Sequence, residues 1–158
     1  MRAQFLLNLI LTIVWVFLTG SLAVVNFIFG FLLSYLVLWI ISRKHESRKY
    51  FRITPRIISF IFYFIYELFR ANIQVAADVV TPKFYMEPGI VAVPLDAKSN
   101  LEITLLANII SLTPGTLSLD VSDDKSVLYV HAMYIKDKEQ FIQEIKNGFE
   151  RRILEILR

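Results

Sequence analysis

Cysteine is absent from this sequence. That absence removes disulfides, thiolate metal sites and cysteine nucleophiles together, and leaves the compartment open. Charge is missing where it informs most: from Phe5 to Ile41 there is no Asp, Glu, Lys or Arg. On insertion scales a charged residue costs about 2.5–3.5 kcal/mol at the bilayer centre, so an uncharged run this long marks a membrane segment rather than a buried core helix. At about 1.5 Å per residue one straight helix would reach roughly 55 Å, against a hydrocarbon core about 30 Å thick. Residues 1–41 are therefore predicted to form a two-helix transmembrane hairpin, with spans at Gln4 to Phe17 plus its flank and Leu22 to Ile41. The reversal is placed near Thr19, Gly20 and Ser21. A cleaved signal peptide with Arg2 as its basic flank competes. It is disfavoured because the apolar run resumes after the small residues Gly20, Ser21 and Ala23.

Chemical machinery is also absent. The sequence has no glycine-rich phosphate loop, no H-E-x-x-H, no G-x-S-x-G and only two histidines. No catalytic, cofactor-binding or metal residue is assigned, and neither an enzymatic activity nor a small-molecule substrate is expected. His45 is read as solvated and His131, inside a predicted strand, as structural. Asp120, Asp123 and Asp124 are read as a strand face and a hairpin turn rather than a cation site.

The net charge of +3 hides a local concentration. Arg43, Lys44, Arg48, Lys49, Arg52 and Arg56 lie together against the single acid Glu46. Residues 42–53 are predicted as a basic loop retained in the cytoplasm, which through the hairpin puts the N-terminus there too. Lacking any nucleic-acid-binding motif, this stretch is assigned to membrane lipid and not to nucleic acid.

Residues 54–80 form the next apolar segment, with Pro55 suited to a first helical turn. Arg56, Ser59, Tyr63, Glu67, Arg70, Gln74 and Asp78 recur at steps of three and four, one polar stripe on an otherwise apolar helix. Two placements compete: a third transmembrane span, or an amphipathic helix at the cytoplasmic interface. The interfacial placement is favoured, because it spares Glu67 and Arg70 the bilayer midplane. Glu67, Arg70 and Asp78 are then polar helix contacts rather than an ion relay.

From 81 to 158 the composition becomes that of a small cytoplasmic domain. Gly89–Leu95 reads as a short strand, which Pro94 confines to an edge or a strand end. Ser99 and Glu102 make a capping box ahead of a helix whose apolar residues are Leu101, Leu105, Leu106, Ile109 and Ile110. Thr116–Ser122 alternates, with Leu117, Leu119 and Val121 predicted inward and Ser118, Asp120 and Ser122 outward. Ser126–Ile135 is its hairpin partner, and Lys138 onward is an amphipathic helix with Phe141 or Ile142, Ile145, Phe149, Ile153 and Ile156 on its apolar face. The order βαββα predicts an α+β layer related to a ferredoxin-like unit without its final strand.

The reversal between helix and strand reads A-N-I-I-S-L-T-P-G-T-L-S-L-D from Ala107 to Asp120. Pro114 stops a helix, Gly115 supplies positive φ, and the flanking hydroxyls bond freed backbone groups. This run, with the whole order of segments, resembles the E subunit of Mrp-type multisubunit cation/proton antiporters. The resemblance implies an accessory, non-catalytic subunit of a bacterial plasma-membrane Na⁺/H⁺ antiporter, whose partners are the other subunits of that complex. It also implies a structural, assembly role for Asn108, Ser111, Thr113, Pro114, Gly115 and Thr116. A stand-alone membrane-anchored binding or scaffold module is the alternative.

Overall fold

The computed structural model describes residues 2–41, 45–81 and 86–158. Two compact units divide the chain, Met1–Pro55 and Arg56–Arg158.

In the first unit, α1 (Arg2–Thr19) and α2 (Val24–Ile41) pack on each other across a short turn at residues 20–23. A polar clasp closes that turn. Trp15 Nε1 donates to Asn26 Oδ1 at 3.0 Å, and Asn26 Nδ2 donates to Thr19 Oγ1 at 2.7 Å and to the Ser21 carbonyl at 2.8 Å. Such internal partners are what asparagine and tryptophan need where water is scarce. Phe17, Leu18, Leu22, Trp39 and Ile40 are exposed on the outside of the pair, and α2 is long and apolar enough to cross a membrane by length and composition.

The following helix, α3, runs from His45 to Val80. The loop predicted over 42–53 is therefore helical from His45 onward, and Pro55 lies inside the helix instead of opening it; Arg43 and Lys44 lie outside the described residues. Packing supplies the reason. Tyr50 and Phe51 are buried with Leu38 and Tyr35, and the Tyr35–Phe51 and Tyr50–Phe51 rings meet edge to face at 5.0 and 5.1 Å. Thr54 Oγ1 donates to the Tyr50 carbonyl at 2.9 Å, one bond of the turn that precedes the proline.

In the second unit, β1 (Gly89–Pro94), β2 (Thr116–Val121) and β3 (Val127–Ala132) form one antiparallel sheet in the order β1-β3-β2. Helix α4 (Asn100–Leu112) connects β1 to β2 across the intervening β3, the arrangement of a split β-α-β unit. Ser99 and Glu102 form the reciprocal capping box at its start. The C-terminal helix has three parts: α5 (Lys138–Glu144), a π-helical turn (Ile145–Glu150) and α6 (Arg151–Leu157). Val91, Val93, Leu128 and Val130 of the sheet, Leu106 and Ile110 of α4, and Ile145, Phe149 and Ile153 make the core.

Two expected faces are corrected. Leu101 and Leu105 of α4 are exposed, the buried residues being Ile103, Leu106 and Ile110. On β2, Leu117 and Leu119 point outward at 49 % and 48 % exposure, while Thr116 and Ser118 face α4 half-buried. The cause is a register shift between Ser118 and Asp120. The extra residue of that bulge puts two residues opposite Tyr129 and returns Val121 to the core side.

Candidate functional site

The Thr-Pro-Gly-Thr turn is tied through its two threonines. Thr113 N donates to the Ile110 carbonyl at 3.1 Å and Thr113 Oγ1 to the Ile109 carbonyl at 3.2 Å. Thr116 Oγ1 donates to the carbonyls of Ile110 at 2.6 Å and Thr113 at 2.9 Å, so the hydroxyls satisfy carbonyls freed at the helix end. Gly115 sits at φ +87°, and a Cβ there would lie 3.3 Å from the Tyr134 ring. Only glycine meets both conditions without strain.

Ser111 does something different. Its Oγ accepts from Ser118 N at 3.1 Å, and Ser118 Oγ donates to the Ala107 carbonyl at 3.0 Å. β2 is an edge strand, and these bonds tie it to α4, occupying an amide that would otherwise be free to pair with another polypeptide. Asn108 is exposed on the outer face of α4.

The predicted polar contacts of α3 lie on the second unit's own surface. Glu67 pairs with Arg70 at 3.4 Å. Asp78 accepts from the Tyr134 hydroxyl, and that bond pushes the Tyr134 phenol up to about 12. A cleft of about 550 Å³ brings these groups together: Glu67, Arg70 and Gln74 of α3, the turn residues Thr113, Pro114, Gly115 and Thr116, Tyr134, and Gln140, Glu144, Asn147 and Arg152 of the C-terminal helix. Asn108 and Ser111 do not line it.

Gly148 and Arg152, which line the cleft, and Glu150, which does not, carry little signal in the sequence. The π turn advances the C-terminal helix by one residue, and Gly148 within it lies so close to Tyr63 that any Cβ would fall on the Tyr63 hydroxyl. Arg152 stacks on the same ring at 4.2 Å from its centroid. Glu150, 1 % exposed, accepts from Asp96 N at 2.7 Å and Ala97 N at 2.9 Å and pairs with Lys146 at 3.2 Å. The one hint was a glycine inside a helical pattern.

The profile of the family described as Na⁺/H⁺ ion antiporter subunit matches residues 8–156. The E subunit of the Na⁺/H⁺ antiporter of Alkalihalophilus pseudofirmus is 43 % identical over 156 residues, 99 % of each sequence. That of Bacillus subtilis is 41 % identical over 158 residues, the whole of both. Among solved structures, a polypeptide of the Mrp complex from a Dietzia species aligns with a TM-score of 0.50 at 30 % identity, covering 65 % of this chain and 96 % of that one. A polypeptide of the membrane-bound sulfane sulfur reductase, an archaeal respiratory membrane complex, aligns with a TM-score of 0.55 at 29 % identity over 95 % and 96 %. A helix pair free of charge from Phe5 to Ile41, a split β-α-β layer and full-length identity of this order lead to one conclusion: the chain belongs to the family of Na⁺/H⁺ antiporter E subunits.

Proposed function

We propose that this chain is an accessory, non-catalytic subunit of a multisubunit Na⁺/H⁺ antiporter in the bacterial plasma membrane, where it supports assembly of the complex that extrudes Na⁺. α1 and α2 are its transmembrane hairpin, α3 from Arg56 lies at the cytoplasmic interface, and the α+β layer, kin to a ferredoxin-like unit, docks on neighbouring subunits in the cytoplasm.

The observation that carries this reading is the two-sidedness of α3. Phe60, Tyr63 and Phe64 pack against the core of the layer, Arg56 Nη1 donates to the Glu155 carbonyl at 2.8 Å, and Asp78 holds Tyr134. These contacts span Arg56 to Asp78, about 33 Å of helix. On the other side Ile57, Ile58, Ile61, Phe62, Ile65, Tyr66, Phe69 and Ile73 are each at least 38 % exposed. A transmembrane α3 would draw the charged layer packed along it into hydrocarbon, whereas an interfacial α3 gives lipid the apolar face and leaves the layer in water.

Topology tests the arrangement. In this cysteine-free background, Ser122→Cys should resist an impermeant maleimide in intact cells and react after permeabilisation. Labelling in intact cells would put the layer outside and overturn the interfacial placement. The accessory role has its own test: deleting this chain should reduce the yield of the assembled complex, and the chain reconstituted alone should not exchange Na⁺ for protons.

A further inference from the structure

We propose that the cleft between α3 and the C-terminal helix receives an acidic peptide segment of a partner subunit, held by a carboxylate on Arg152. The inference rests on the docking reading above and names its chemistry. Arg152 carries a full charge into this cleft, yet among the described residues it makes no ion pair: Arg70 takes Glu67, Lys146 takes Asp96 and Glu150, Arg151 takes Glu155 and Arg158 takes Glu102. Its Nε–H is buried without a hydrogen-bond partner. That atom is closed to solvent, so an anion entering the cleft would meet the outer amino groups of the guanidinium rather than Nε.

The carboxylates nearest at hand are engaged. Glu67 is bound to Arg70, Glu144 Oε1 accepts from Gln140 Nε2 at 3.0 Å, and neither stands at ion-pair distance from Arg152. Tyr63 covers one face of the guanidinium, which holds the plane in place and leaves its edge for a planar anion. The remaining polar lining is rich in amides and hydroxyls, among them Gln74, Asn147 and Thr113. Amides both donate and accept, as a peptide backbone requires. The volume of about 550 Å³ lies in the range of a ligand site and accommodates a short stretch of extended peptide. A phosphate headgroup would satisfy Arg152 equally but would leave the amide donors and acceptors of the walls without their match.

Photo-crosslinking in the intact complex decides it. Gln74→p-benzoylphenylalanine, at the exposed rim of the cleft, is introduced into the full-length protein, and the antiporter is irradiated in membranes and then purified. The expected product is a cross-link to a segment of another subunit that carries Asp, Glu or a terminal carboxylate. Arg152→Gln should lower its yield at least about tenfold, the loss of one charge-assisted hydrogen bond, with Arg152→Lys retaining more. If Arg152→Gln also lowers the amount of this protein in the membrane, the exchange decides: Arg152→Glu with the partner's carboxylate replaced by arginine should restore the cross-link. A phospholipid adduct, a segment without a carboxylate, no product in an intact complex, or a yield indifferent to Arg152→Gln would each overturn the proposal. Purification of this protein free of other subunits is a separate result, and overturns the docking reading itself.

Discussion

Replacing Glu150 separates two things the carboxylate does. Its Oε1 accepts from the backbone N–H of Asp96 and of Ala97, and its Oε2 pairs with Lys146. The lysine does not depend on it, since Lys146 Nζ also pairs with Asp96 at 2.8 Å and donates to the Pro94 carbonyl at 2.9 Å. The two amides fare unequally. Ala97 is 1 % exposed and cannot turn to water, whereas the side chain of Asp96 is 69 % exposed and its surroundings are wet. Glu150→Ala therefore orphans one buried donor and loses its charge-assisted bond, about 3 kcal/mol in all. Glu150→Gln keeps an acceptor in the same place and loses chiefly the Lys146 contact, about 1 kcal/mol. Hydrogen exchange read by mass spectrometry on the segment 94–99 of the full-length protein should accelerate roughly a hundredfold for alanine and roughly fivefold for glutamine. Equal acceleration by the two variants would mean that charge, not the acceptor, holds this loop. No acceleration would refute its role altogether.

Gly115→Ala should destabilise the α+β layer by about 1–2 kcal/mol, because φ +87° is left-handed and the new Cβ presses on Tyr134; a thermal melt should fall by at least roughly 4 °C, and an unchanged melt would contradict the strain. Acid should act through Glu102, whose carboxyl is held down to about 2 from 4.5, first by the Arg158 guanidinium at 3.0 Å and then by the amides of Lys98 and Ser99. A folded-state value below the unfolded one means the stabilisation is complete above about pH 4.5 and is lost as pH falls toward about 2. Arg158→Gln should accordingly move the acid-unfolding midpoint, followed by circular dichroism, to higher pH. Glu67→Gln removes an ion pair whose arginine is 58 % exposed, worth about 0–1 kcal/mol, and should leave complex yield and Na⁺/H⁺ antiport intact; lost transport in an assembled complex would restore Glu67 to an ion path.

Elements were legible where one local signal sufficed. The uncharged run gave two helices and their turn, Ser99 with Glu102 gave the start of α4, and Pro114 with Gly115 gave its end. Faces were legible only where the period held. The alternation Leu117, Leu119, Val121 pointed to a buried leucine face, but the bulge puts an extra residue between Ser118 and Asp120, and Ser118 spends its inward side chain on the Ala107 carbonyl. Pattern reading assumes apolar groups seek the core. Here the inward positions of an edge strand are hydroxyls because their task is to tie that edge to α4. The start of α3 failed for a related reason: charges and a proline argued for a loop, yet the aromatic burial of Tyr50 and Phe51 outweighed both.

The candidate site shows the same division in sharper form. Thr113, Pro114, Gly115 and Thr116 were legible because each does local work on the turn, and Glu67, Arg70 and Asp78 because they break an apolar helix. That Glu67 and Arg70 share a cleft with the turn, while Asp78 bonds the Tyr134 hydroxyl, depends on tertiary packing, which no window of residues encodes. Arg152 and Tyr134 are the clearest cases. The arginine looks like one more charge on a solvated helical face, and it reaches Tyr63 in a helix whose middle turn is π, with Gly148 offering no side chain to hold the ring away. A regular α-helical turn would rotate everything beyond Ile145 by about 100° for the one residue gained. Arg152 and Glu150 would then leave Tyr63 and the 96–97 amides together, so the core loop and the open cation in the cleft are two consequences of a single irregular turn.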